Sequence, residues 1–93
     1  MKYITFCEFT PEFLKLSLEE RESNLLKWKR LAAGYKVKTL FHGLPMGVNE
    51  HSVFVFETKK DGEQFFDFAR EWLGLGTPEA GKHIKSLRTI TVY

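Results

Sequence analysis

The sequence predicts an α+β fold in which a four-stranded antiparallel sheet carries helices on one face, and three observations lead there. Two segments, Tyr3 to Phe9 and Ser52 to Glu57, read as central strands. Two others, Leu18 to Ala33 and Phe65 to Leu73, space their apolar residues as helices do. With two further strand-like segments, the order is strand, helix, strand, strand, helix, strand.

Taken in order, the first strand alternates Ile4 and Phe6 on one side with Tyr3, Cys7 and Phe9 on the other. A helical start is expected near Pro11, because Thr10 suits an N-cap and proline the first helical position. Ser17, with Glu20 three residues on, forms a capping box for a main helix from about Leu18 to Ala33. Its expected inward stripe is Leu18, Leu25, Trp28 and Ala32, and Gly34 suits its carboxyl end. Lys36 to Gly43 reads as the second strand, Leu44 to Glu50 as a connection, and the third strand sets Val53 and Val55 against Phe54 and Phe56. Asp61 and Gly62 open the next helix, which turns Phe65, Phe68, Ala69, Trp72 and Leu73 inward and stops at Gly74 or Gly76. A last strand, rich in β-branched residues, runs from about Ile84 to Tyr93.

This is the ferredoxin-like βαββαβ plan, with the first and third strands central and the second and fourth at the edges. Both central strands are apolar on both faces. One face is covered by the chain's own helices, whereas an antiparallel sheet normally turns polar residues outward on the other. The second apolar face therefore calls for another cover, most simply a second copy of the chain. A homodimer joined through the sheet is the expected assembly.

Residues 1–93 form a single domain, and 43% hydrophobic with 15% aromatic residues provides a compact core rather than disorder. No stretch approaches the roughly 20 apolar residues of a membrane span, and the amino terminus lacks the apolar run of a secretory signal. Cys7, the single cysteine, makes no internal disulfide, which fits a reducing interior. A cytoplasmic protein, with no membrane partner, is expected.

The net charge of +2 gives little overall push toward nucleic acid. Lys27, Lys29, Arg30, Lys36 and Lys38 form one local cluster, and Lys82, His83, Lys85 and Arg88 a second. They read as a solvated helix flank and a charged edge strand, so nucleic acid is not the expected partner.

Combined with the doubly apolar sheet, the segment Phe41-His42-Gly43 at the end of the second strand resembles small uncharacterised members of the dimeric α+β barrel superfamily, in which two such sheets pack face to face. The resemblance covers nearly the whole chain. It implies a fold more than an activity, since related barrels serve as oxygenases, isomerases, haem enzymes and non-catalytic ligand-binding domains.

The topology also brings four ionisable residues to one end of the sheet. Glu8 and His42 close the first and second strands, while His51 and His83 precede the third and fourth. The longest connections, Leu44 to Glu50 and Leu75 to Lys82, lie at this same end, where binding residues gather. Glu8 continues the Ile4 and Phe6 face, where a carboxylate is costly unless paired, and His42 exchanges protons near neutrality. Glu8 and His42 are accordingly the candidate catalytic pair, with Leu44, Met46, His51, His83 and Trp72 as candidate ligand contacts.

No metal or other cofactor is expected. The three histidines and Glu8 lie on four different strands without the local spacing that enforces coordination. Gly43 to Gly47 lacks the lysine and serine of a phosphate loop. Cys7 reads as an inert buried thiol, and Trp28, Phe65, Phe68 and Trp72 as core. Paired-cysteine metal motifs, an arginine-bearing glycine loop of the acylphosphatase kind and an RNA-recognition strand are all missing.

The sequence thus leads to a small homodimeric barrel holding a largely apolar ligand, with a cofactor-free isomerase or oxygenase as its enzymatic version. The alternatives are a non-enzymatic dimerisation or ligand-sensing module and a weak nucleic-acid binder using the first basic cluster.

Overall fold

The computed structural model describes residues 1–59 and 62–92. The elements run β1 (Lys2–Phe9), α1 (Pro11–Leu14), α2 (Leu18–Gly34), β2 (Lys38–Gly43), β3 (Ser52–Glu57), α3 (Glu63–Leu73) and β4 (Ile84–Val92). Asp61, expected to open α3, and Tyr93, expected to end β4, lie outside the described residues. The four strands form one antiparallel sheet in the order β2-β3-β1-β4, as the ferredoxin-like plan requires.

Alternation decides which face the helices cover. Tyr3, Cys7 and Phe9 of β1 and Phe54 and Phe56 of β3 are buried with Phe13, Trp28, Ala32, Phe65, Phe68 and Trp72 from the helices. The core is largely aromatic: Trp72 meets Phe54 and Phe56 edge-on at 5.1 and 5.7 Å and stacks on Phe68 at 5.2 Å. Tyr3 stacks on Phe65 at 4.1 Å. Burial alone pushes the Cys7 thiol up to about 12, which keeps it protonated and unreactive at neutral pH.

On the opposite face the register assembles cross-strand rows. Phe41, Val55, Ile4 and Ile90 stand side by side across all four strands. The next row is Gly43, Val53, Phe6 and Arg88. Ile4, Phe6, Val53 and Val55 are half-buried, while the edge residues Phe41 and Ile90 are 54% and 46% exposed. Arg88 lies over the Phe6 ring at 4.4 Å and is held there by Glu50, at 2.9 and 3.3 Å. An unbroken apolar belt thus crosses a face that no helix covers.

Capping follows the sequence at most boundaries. The Thr10 and Ser17 hydroxyls accept from the Phe13 and Glu20 amides, and Gly74 ends α3 in the left-handed region at φ 71°. A Cβ at Gly74 would meet backbone of residues 79 and 80 at 3.2 Å, so a side chain there is crowded as well as strained. Leu18, the first residue of α2, departs from its expected inward place at 74% exposure.

The end of α2 also departs from expectation. The helix runs through Gly34, and Lys36, expected in β2, instead takes the left-handed conformation at φ 61°. The Lys36 amide donates to Ala33 O and the Val37 amide to Ala32 O, each at 2.9 Å, completing a Schellman motif that buries Val37. Glycine therefore stands two positions before the site that needs it. Gly34→Ala meets open space and should stabilise the fold by about 0.5–1 kcal/mol. Lys36→Gly relieves a left-handed side chain and should add about 1 kcal/mol. Denaturant midpoints test both, and a fall in midpoint for Lys36→Gly would contradict the motif.

Candidate functional site

At the helix-covered end of the sheet, the chain leaves a cleft of about 350 Å³ between the ends of β1, β2 and β3, helix α1 and the first turns of α2. Thr10 caps α1 and turns Phe13 back into the core, 4.2 Å from Phe9 and 5.4 Å from Trp28. Phe9, Phe13, Leu14, Leu25 and Leu44 supply the apolar lining, and Arg21, His42, His51 and Ser52 supply its polar side chains.

His51 is built into the scaffold. Its amide donates to Cys7 O at 3.0 Å, and its Nδ1 accepts from the Phe9 amide at 3.0 Å. The side chain so extends the β1–β3 ladder beyond its last pair, Cys7 and Ser52, and with Nδ1 accepting, Nε2 is left as the donor. Ser52 is held by donating to Gly43 O at 3.3 Å.

His42 pairs with Phe54 across β2 and β3 and stacks on its ring at 5.7 Å, which places it on the helix-covered face. Partial burial, then the positive charge of Lys29, hold its pKa below the usual 6.5. His42 is therefore neutral at neutral pH, with no side-chain hydrogen bond among the described residues. The unfolded chain takes up this proton near 6.5 and the folded chain at lower pH. Stability from the neutral ring is therefore full above about 6.5 and is lost as pH falls through the folded midpoint. Lys29→Gln should raise the His42 midpoint in an NMR titration; an unchanged midpoint would remove Lys29 as a cause.

Glu8 stands apart from His42. Its carboxylate faces the uncovered side of the sheet, 3.6 Å from Lys85 Nζ, and accepts from Ser86 Oγ at 3.2 Å. Topology brings the two residues to one end of the sheet, but alternation puts them on opposite faces, and they share no pocket.

Of the other candidates, Leu44 and His51 line the His42 cleft, whereas His83 and Trp72 line a separate cleft of about 550 Å³ among α2, α3 and the start of β4. Phe13 separates His83 from the His42 cleft by an edge contact at 5.6 Å. Trp72 is core, and Met46 is 92% exposed and lines neither cleft. Among the described residues no three histidine, cysteine or acidic side chains gather to hold a metal. No helix among them is long and apolar enough to cross a membrane.

Sequence reasoning missed Arg21. It is half-buried on the first turns of α2, where its Nε donates to Leu16 O at 3.1 Å and its Nη2 to Leu14 O. The available signal was its sign: an arginine just behind Glu19 and Glu20 opposes the helix dipole and needs a partner.

Fold and site together define a ferredoxin-like α+β domain with a mainly apolar cleft under its helices. Chlorite dismutase from Candidatus Nitrospira defluvii, solved in complex with imidazole, is similar over 92% of this chain and 35% of that enzyme's chain, with 19% identity and a TM-score of 0.64. A mutant form of the same enzyme is similar over 98% and 40%, with 18% identity and a TM-score of 0.60. At such identity the likeness shows the fold, and the chain spans little more than a third of the length of those chains. No family model and no curated protein matches the sequence.

Proposed function

We propose that the protein is a homodimer whose protomers each bind a small, largely apolar molecule in the His42 cleft. The observation that carries this reading is the cleft itself. Aromatic and aliphatic walls converge with a few fixed polar groups, the usual makeup of a small-molecule site, and about 350 Å³ lies at the small end of the range for such sites. His42, neutral and free of protein hydrogen bonds among the described residues, is the group placed to exchange a proton with a bound molecule.

Dimerisation is supported by the apolar belt through Phe41, Val55, Ile4 and Ile90. Joining two copies there covers that face and leaves both clefts accessible beneath their helices. Glu8 then serves the rim of the interface with Lys85 instead of the site. The paired state of Lys85 and Arg88 weighs against that surface as a nucleic-acid interface.

Octanol, an uncharged apolar probe, tests the ligand reading by calorimetric titration. The expected result is one saturable site per protomer, weakened by Leu44→Asp at the cleft mouth. Lack of saturable binding by octanol and octanoate alike, or indifference of octanol binding to Leu44→Asp, would overturn the reading.

A further inference from the structure

Among the described residues, Arg21 is the one cleft residue whose charge nothing in the cleft accounts for. Its guanidinium is oriented by the Leu14 and Leu16 carbonyls, which are neutral acceptors and leave the rest of its donor fork unused. Among the described residues it has no ion-pair partner. The nearby Glu20 carboxylate instead accepts from Ser17 Oγ at 3.1 Å. Lys29 adds positive charge from the same helix, acting on His42, while Glu19 and Glu20 in the first turn offset the partial positive charge of the amino end of α2. His51 contributes an Nε2–H donor, since its Nδ1 is occupied by the Phe9 amide.

Resting on the ligand reading above, we infer that the molecule bound in the His42 cleft is a small carboxylic acid, its carboxylate received by Arg21 and its apolar body lying against Phe9, Phe13 and Leu44. The planar guanidinium matches a carboxylate with paired, charge-assisted hydrogen bonds. The carbonyl tethers fix its position beforehand, so little side-chain freedom is lost on binding. An apolar cleft without a cation has the opposite preference, because a carboxylate must shed its water there without compensation.

Octanoate and octanol share an apolar body and differ in the head group. At neutral pH and low salt, octanoate should bind about ten-fold more tightly or better, the range for a hydrogen-bonded charge, and added salt should narrow that gap. Arg21→Gln should bring the preference to about one while octanol binding persists. Equal binding of the two probes by the parent protein, or an unchanged preference in Arg21→Gln, would overturn the carboxylate while leaving the ligand reading intact. Failure of both probes to bind the parent would remove the ligand reading itself. If Arg21→Gln does not fold, the salt series on the parent decides: a preference that falls with salt supports the inference, and a flat one overturns it.

Discussion

On the proposed sheet-to-sheet assembly, replacing Val55 by aspartate should leave the protein monomeric. Val55 occupies the middle of the apolar row Phe41–Val55–Ile4–Ile90, on a central strand of the face that the helices leave uncovered. In a two-fold dimer the same patch meets itself, so one substitution places two carboxylates in the same interface. Each loses water without gaining a partner, and each such loss costs several kcal/mol. Affinity should therefore fall by a factor of at least about 1,000. Val55→Thr, which keeps the β-branched shape and adds no charge, should remain dimeric at high concentration. Sedimentation equilibrium reads both outcomes, and an Asp variant that still dimerises would show that the subunits meet elsewhere.

Phe54→Ala should be among the most destabilising single substitutions in the chain. The ring is 1% exposed and meets Trp72 at 5.1 Å, Phe56 at 5.8 Å and His42 at 5.7 Å. Truncation leaves a cavity among rigid aromatic neighbours, at a cost of about 3–5 kcal/mol. Folded domains have only about 5–15 kcal/mol in all. For a chain of this size the melting temperature should drop by roughly 12–40 °C. Because Phe54 also seats the His42 ring, the variant should weaken octanol binding in whatever fraction stays folded. Phe54→Leu should cost far less, and a mild effect of alanine would mean that the aromatic cluster closes over the gap.

Elements whose signals are local were legible in the sequence. Thr10-Pro11, Ser17 with Glu20, and Gly74 each state a boundary through chemistry confined to a few residues, and the structure places caps at all three. The order of the elements likewise pointed to the sheet order, with β1 and β3 central. What sequence left open depended on the third dimension. Nothing in the alternation of β1 says whether Tyr3 or Ile4 faces the helices, so Glu8 and His42 seemed to converge until the register placed them on opposite faces. Gly34 does mark the end of α2, but the left-handed conformation falls on Lys36 so that Val37 can be buried, a tertiary demand outweighing a local preference. Arg21 was missed because the carbonyls that orient it come from the last residue of α1 and the turn after it, which no periodicity describes.

A crystal structure grown with octanol reads the assembly and the site together. It should show two protomers joined sheet to sheet across Phe41, Val55, Ile4 and Ile90. In each, the alkyl chain should lie between Phe9, Phe13 and Leu44 beside His42. A dimer joined through its helices, or octanol lodged near Trp72 and His83 with the His42 cleft empty, would contradict the proposed function.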